Sequence, residues 1–522
     1  MRSRELSGFV YGALLLVVSC WVGSHLYPPI NLDVGCLLYV AKRWLAGDRL
    51  YVDVIDPNTP WAIALHVPAE FTAAKLGLDG PTWFSIYVIA AIAISVGLVW
   101  RLVQRHEAEF GALTARILPL SVWFVLGVDP GRCFGQREHL LMVAALPYLV
   151  LATLRAQNVE VPRRLAAVIA LIAGLGFAIK PHFVLPLALV ELYVLRARGL
   201  RAALRDPVPW LILGVLVSHL VLALVGTPEY LAVVVPFAAE AYTTPAQVLS
   251  NAGKILLGLE LLPVTLLLPI LGGIAFTRRM PLARLLCLFA AACALVSAVQ
   301  GKGWDYHSVP AMNATLLLIL VTLTELAGQH AARLGELTPE DSKLLAACLL
   351  IPLLFLDGLR LAPLRDQITF SEGPVHAWLE VMNKTPGNQR ALVLSAGMYP
   401  QFPAMNYADF RMTMPFMSLW ALRGVYERCE GEAANFRAVE AQPEAERFVF
   451  RKVVDGFVAQ RPQLVAVDRD DAVLDCDEQH FDYLRYFSRD ARFAREFRNY
   501  RLAAKVGVFE FYERMTGAVA RP

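Results

Sequence analysis

The sequence predicts a mainly α protein: a polytopic membrane helical bundle followed by a soluble α/β domain. Three observations predict it. The 522 residues are 57% hydrophobic and only 18% charged, with mean hydropathy +0.50, whereas soluble domains carry about a quarter charged residues. The charge is unevenly divided, since residues 361–522 hold 43 of the 93 Lys, Arg, Asp and Glu residues. The first 360 residues also contain repeated apolar runs near the length of about 20 residues that crosses a bilayer. We therefore expect a transmembrane domain over 1–360 and an extracytoplasmic α/β domain over 361–522. A net charge of +3 is too small to point to a nucleic-acid partner.

The apolar runs predict about 11 spans, at 8–25, 82–100, 111–128, 140–154, 165–179, 183–195, 209–225, 255–276, 282–299, 309–323 and 344–356. The first run is longer than a signal-peptide core and lacks a small-residue cleavage site, so it reads as a retained helix. Residues 61–77 include His66, Pro68, Glu70 and Lys75. Such groups are costly against lipid, which favours an interfacial or re-entrant helix over a crossing. With the N-terminus in the cytoplasm, the loops 101–116, 155–164, 196–205, 278–284 and 325–343 and the N-terminus hold 17 of the 27 Lys and Arg residues before position 361. That is the positive-inside pattern, and it puts the C-terminal domain outside the cytoplasmic membrane.

In that topology four polar clusters gather on the outer face. The first runs from Asn31 and Asp33 through Tyr39, Lys42 and Arg43 to Asp56-Pro57-Asn58-Thr59-Pro60. Leu37, Leu38, Val40 and Ala41 have the spacing of a helix lying on the membrane surface. Gly47 reads as a helix stop, and the Asp56 segment as a turn. The second cluster is Arg132 with Gln136-Arg137-Glu138-His139, the third Lys180-Pro181-His182, and the fourth Gln300 to Pro310 with Lys302, Trp304, Tyr306 and His307. Each has a plain structural reading. Lys and His at helix ends snorkel, Trp and Tyr form interfacial belts, Asp33 serves as a helix N-cap, and Arg137 with Glu138 makes a surface pair. Four together supply an acid, several cations and aromatic walls. That set suits an anionic lipid headgroup and an acceptor hydroxyl that must lose its proton.

These residues resemble the GT-C glycosyltransferases, membrane enzymes using polyprenyl-phosphate sugars, such as the protein O-mannosyltransferases and the aminoarabinose transferase of lipid A. The likeness lies in Asp33 after the first span, the surface-helix region 43–77, Lys180 ending a later span, and Trp304 to His307 near the last spans. It covers roughly residues 8–325. Two departures stand out. Glu138 occupies the place where many members carry a second acidic residue, and Val34 follows Asp33 where many protein mannosyltransferases have Asp-Glu. The resemblance implies an inverting transfer with Asp33 as general base. It implies Lys180, His182, Arg137 and Lys302 on the donor phosphate. Glu138, His139, Tyr39, Trp304, Tyr306, His307 and Asp56 would contact substrate. No cofactor is expected and no metal motif supports a divalent ion. The expected partners are a polyprenyl-phosphate sugar, a glycan, lipid or protein acceptor, and membrane lipids. The competing readings are a lipid-linked-sugar flippase or transporter, and a non-catalytic subunit of a polysaccharide export complex.

In the C-terminal part, 391–395, 464–468 and 506–512 read as buried strands, with helices at 373–383, 444–460 and 477–499. No glycine-rich phosphate loop follows the first strand, which suggests a lid or docking module in which Tyr399, Pro403, Asn406 and Tyr407 face the membrane site. The eight cysteines lack metal spacing. Cys429 and Cys476 are the pair that an oxidising compartment would permit to join.

Overall fold

A computed structural model describes residues 3–241, 245–259, 261–334, 362–387, 389–422, 436, 439–470 and 481–515. The predicted span at 344–356, the boundary at 360/361 and the pair Cys429 and Cys476 lie outside the described residues. The chain divides into two compact units. The first comprises Met1–Tyr27, Ser85–Val221 and Thr244–Arg365, and the second Pro28–Phe84, Leu222–Thr243 and Asp366–Pro522.

The first unit is helical because its sequence supplies long apolar runs whose backbone groups can be satisfied without water only inside a helix. Among the described residues five helices are long and apolar enough to cross a membrane: Gly80–Arg105, Arg137–Ala156, Pro207–Gly226, Pro281–Gln300 and Asp305–His330. The other described candidates fall on Ser3–Ser24, Ala112–Gly127, Arg163–Phe177, Val184–Arg198 and Leu262–Thr277. The run expected at 255–276 is interrupted, since a separate helix ends at Leu256. The Arg137–Ala156 helix lies at the centre of the unit and packs on Arg163–Phe177, Val184–Arg198, Pro281–Gln300 and Asp305–Leu334. Small residues permit the close approach: Gly176 stands so near Ala144 that a Cβ there would overlap it.

Among its described residues the second unit has a five-stranded mixed sheet with helices around it. Strands β1 (Arg390–Leu394), β2 (Arg411–Met412), β3 (Leu464–Asp468), β4 (Tyr500–Val506) and β5 (Phe509–Arg514) lie in the order β2-β1-β3-β5-β4. β1 pairs in parallel with β2 and β3, while β5 is antiparallel to β3 and β4. Every residue of β3 is buried, as the unbroken apolar run predicted. The strand expected at 506–512 is instead a hairpin, turning at Gly507 with φ +56°. The helix expected over 477–499 is, in its described part, two short helices, Tyr483–Phe487 and Ala491–Phe497, each started by an aspartate N-cap, Asp482 and Asp490.

The core of this unit draws on three separated stretches of chain. Leu37, Tyr39, Val40, Tyr51 and Ile55 from the first stretch share one hydrophobic cluster with Phe237 from the second and with Trp378, Phe416, Phe457 and Phe511 from the third. The helix Leu32–Leu45 thus buries its apolar residues on protein, where the spacing alone had suggested a membrane surface. Amphipathic spacing reports that a face is covered and leaves open by what. Phe237 packs its ring on Phe416, Trp420 and Phe448 at 5.8, 5.3 and 5.5 Å. The Glu240 carboxylate accepts a hydrogen bond from Ala445 N at 3.1 Å, capping the helix Glu444–Gln460 from outside.

Residues 61–77 form two short helices, Pro60–Ala64 and Val67–Leu76, neither long enough to span a bilayer. Glu70 is buried in the first turn of the second, against Gly80. Burial pushes its carboxyl up to about 7, opposed by the charge of Lys42 and reinforced by Asp79 and Asp409. The native state therefore holds a proton between about pH 4.5 and 7 that the unfolded chain releases, so stability falls as pH rises through that window. Glu70→Gln is expected to flatten the dependence. The gain in stability over the unsubstituted chain should grow from near zero at about pH 4.5 to at most about 3 kcal/mol at pH 8, read from thermal unfolding at several pH values.

Candidate functional site

Asp33 lies in the first turn of Leu32–Leu45, partly exposed. The N-cap is Asn31, whose Oδ1 accepts from Asp33 N at 2.9 Å and Val34 N at 3.4 Å. The capping role considered for Asp33 therefore belongs to Asn31. The helix that carries Asp33 is fixed by the rest of the second unit. Asn406 Nδ2 donates to Gly35 O at 2.9 Å, and Met412 N donates to the Tyr39 hydroxyl at 2.7 Å. The Lys42 ammonium meets Asp409 at 2.5 Å. Ile30 N donates to the Tyr407 hydroxyl at 2.9 Å.

Two residues expected to touch substrate turn out to hold the fold of this unit. Tyr39 is buried, with its hydroxyl on the β2 backbone and its ring 5.4 Å from Phe402. Asp56 is buried in a turn, its Oδ1 accepting from Asn58 N at 2.8 Å and Nδ2 at 2.7 Å. An aspartate before Pro-Asn serves the local backbone first, and sequence alone gives that use no distinguishing mark. Tyr51 beside them has φ +67°, a left-handed conformation disfavoured for a bulky side chain. Its hydroxyl donates to Asn58 O at 2.7 Å, and its buried ring lies 5.0 Å from Tyr230.

The remaining candidates lie in the first unit and form a connected cluster. Arg137 and Glu138 open the helix Arg137–Ala156, and both are buried. Lys180 precedes a 3-10 turn, Pro181–Phe183, with φ −136° and ψ 140°, the extended backbone that a following proline favours. Its ammonium pairs with Glu138 Oε1 and stands 5.2 Å from the centre of the Tyr306 ring. The Arg137 guanidinium is 5.5 Å from the same ring, and its Nη2 is 3.5 Å from the Tyr306 hydroxyl. Tyr306 contacts His307 at 4.5 Å and Trp304 at 5.7 Å, and Lys302 lies 4.5 Å over Trp304. Gly301 and Gly303 around Lys302 have φ +68° and +64°, so these glycines set the turn that presents it.

His182 and His139 behave differently from expectation. Burial together with the charges of Lys180 and Arg137 pushes His182 down to about 3, so it is neutral at physiological pH and offers hydrogen bonding without charge. Both ring nitrogens of His139 go to backbone: Gly135 N donates to Nδ1 at 2.9 Å, and Nε2 donates to Leu126 O at 2.8 Å. His139 pins the loop before its helix and has no ring nitrogen left for a sugar or phosphate.

Sequence reasoning missed one polar network in this unit. The Arg155 guanidinium bonds Glu191 at 2.7 and 3.0 Å and Asp206 at 2.8 Å. Tyr148 OH donates to Glu191 Oε1 at 2.6 Å, and Arg198 also pairs with Asp206. A lone Glu191 in an apolar run was the available signal, because such a group needs a partner. Among the described residues no group of three or more His, Cys, Asp or Glu side chains is placed to hold a metal ion.

Two solved structures are similar in fold over nearly the full length of the chain. One is ArnT from Cupriavidus metallidurans bound to undecaprenyl phosphate, with TM-score 0.58, 14% identity and 98% of both chains covered. The other is the same protein in the apo state, with TM-score 0.53, 14% identity, and 97% of this chain and 98% of that one covered. The chain has a GT-C-like fold. No family model matches the sequence, and no curated protein does. At 14% identity the likeness is one of fold, so the chemistry of this chain rests on its own side chains.

The Tyr306 ring serves two cations at once, each contact worth roughly 0.5–2 kcal/mol. Tyr306→Phe keeps the ring and should shift the thermal midpoint little. Tyr306→Ala removes it and should cost about 1–3 kcal/mol in the same measurement, with Arg137 and Lys180 losing a shared wall.

Proposed function

We propose that the chain is an integral-membrane glycosyltransferase. It moves a sugar from a polyprenyl-phosphate donor to an acceptor hydroxyl on the outer face of the cytoplasmic membrane. The observation that carries this reading is the aromatic-walled cation cluster of Arg137, Lys180, Lys302 and Tyr306. It occurs in a chain whose GT-C-like fold matches, over 98% of its length, a protein bound to undecaprenyl phosphate.

In the proposed reaction the acceptor hydroxyl attacks the anomeric carbon from the face opposite the phosphate. The bond from that carbon to the phosphate oxygen breaks, and configuration inverts. Asp33 takes the hydroxyl proton. The polyprenyl phosphate leaves with the bonding electron pair, and Arg137, Lys180 and Lys302 stabilise the charge that grows on it. A phosphate leaving group is weakly basic, so the scheme needs no second acid. Trp304 and His307 would flank the sugar, and His182 would contribute a neutral hydrogen bond. The scheme gives no step to a metal. The C-terminal part of the second unit holds the helix that presents Asp33.

The test is transfer of radiolabelled sugar from a panel of polyprenyl-phosphate pentoses and hexoses by the purified chain in lipid. Asp33→Asn should reduce turnover by at least about 10²-fold while leaving donor binding within a factor of about two. An active Asp33→Asn enzyme would remove the base from the scheme. Absence of transfer from every donor, alongside vectorial movement of the lipid-linked sugar in vesicles, would favour the flippase reading.

A further inference from the structure

Lys180 is the cation of the cluster whose charge most needs explaining. Its side chain is 12% exposed, and an ammonium so withdrawn from water keeps its proton only if something nearby favours the charged form. The groups around it are mostly unhelpful. Arg137 and Lys302 are cations, and His182 and His307 present imidazole. Tyr306 offers a ring face at 5.2 Å. Glu138 Oε1 is on the ammonium itself, from a carboxylate only 1% exposed.

The other oxygen of Glu138 is informative. Oε2 is buried and has no hydrogen-bond partner among the described residues. A buried carboxylate kept for stability alone would gain by using both oxygens, and one left half-satisfied carries a desolvation cost. The Arg155 network of the same unit is the contrast: there Glu191 receives bonds on both oxygens, from Arg155 and Tyr148. Glu138 is therefore spent on Lys180, at some cost to the fold.

We propose that Glu138 is a positioning residue that keeps the Lys180 ammonium charged and aimed for the phosphate of the lipid donor. This rests on the donor reading above and adds a role for a residue that does not itself meet the phosphate. An ammonium carries three N–H donors, so one held by Glu138 can also bond a phosphate oxygen. The following Pro181 restricts the Lys180 backbone, so the carboxylate and the proline fix opposite ends of the residue.

The experiment measures binding of undecaprenyl phosphate, with no sugar attached, to the full-length protein in detergent between about pH 6.5 and 9.5. The expected result is strong binding by the unsubstituted protein that changes little over this range. Glu138→Gln should bind at least about tenfold more weakly. Its affinity should fall further as pH rises, because Lys180 without its carboxylate surrenders its proton. Glu138→Asp should be intermediate and nearly flat with pH. A Glu138→Gln protein that binds like the unsubstituted one overturns the proposal. So do two variants that weaken binding equally with no pH dependence, which is what a structural role predicts. If Glu138→Gln does not fold, Glu138→Asp carries the test, and binding equal to that of the unsubstituted protein overturns it. Lys180→Met separates the two levels: unchanged binding there removes Lys180 from the phosphate site, and so the donor reading at this residue as well.

Discussion

A charge can sit inside the apolar first unit only if something pays its desolvation. The sparse ionisable groups of that unit meet this constraint in two ways. Arg155, Glu191, Asp206, Arg198 and Tyr148 close on one another, with bonds of 2.6–3.0 Å on Glu191 and between Arg155 and Asp206. That network ties the Arg137–Ala156 helix to Val184–Arg198 and to the start of Pro207–Gly226. Around Lys180 the solution is partial. Glu138 Oε2, His182 Nε2 and His307 Nδ1 are buried without a hydrogen-bond partner among the described residues. A network that satisfies itself has nothing to offer a ligand. One that leaves acceptors and donors open beside the cations has.

The second unit answers a different need. A short helix beginning at Leu32 would be marginal alone and must be held in place by other parts of the chain. Its rigidity comes from residues more than 350 positions later: Asn406 on Gly35, Met412 on Tyr39, and Asp409 on Lys42. Gly35 is required at that contact, since a Cβ there would lie 2.9 Å from Asn406 Oδ1 and 3.3 Å from Pro403. The C-terminal residues thus support the segment that carries Asp33, which is how a site is kept rigid from behind. Phe237 and Glu240, from a stretch between apolar helices, complete the same core and cap one of its helices.

The helices were legible because apolar runs of membrane length have few alternatives, and ten of the expected spans fall on described helices. The strands β1 and β3 were legible for a similar reason, since a short buried strand reads as an unbroken apolar run. What failed to show was partnership. The face of Leu32–Leu45 looked the same whether covered by lipid or by protein. Tyr39, Asp56 and His139 carried the right chemistry for substrate contact, yet Tyr39 and His139 bond backbone and Asp56 bonds the backbone and side chain of Asn58. The hairpin at Gly507 was hidden because its two strands are joined by a turn of only Gly507 and Val508. Arg155 was assigned by the side of the membrane its charge favours; a lone Glu191 in an apolar run signals the need for a partner without naming Arg155 as that partner.

Why the cation cluster combines arginine, lysine and a tyrosine ring follows from what each holds. Arg137 is planar and retains its charge under all accessible conditions, so it can be fixed by the Tyr306 ring and hydroxyl without losing its proton. Lys180 is compact and adjustable, but burial threatens its charge, so it needs a carboxylate beside it. One ring serves as the common wall for both cations, and the third, Lys302, rests on its neighbour Trp304. The aromatic faces spread the cations without neutralising them, which a second carboxylate would do. The cost of assembling that positive charge was met during folding, so a phosphate-bearing donor of the proposed kind would not have to reorganise it on binding.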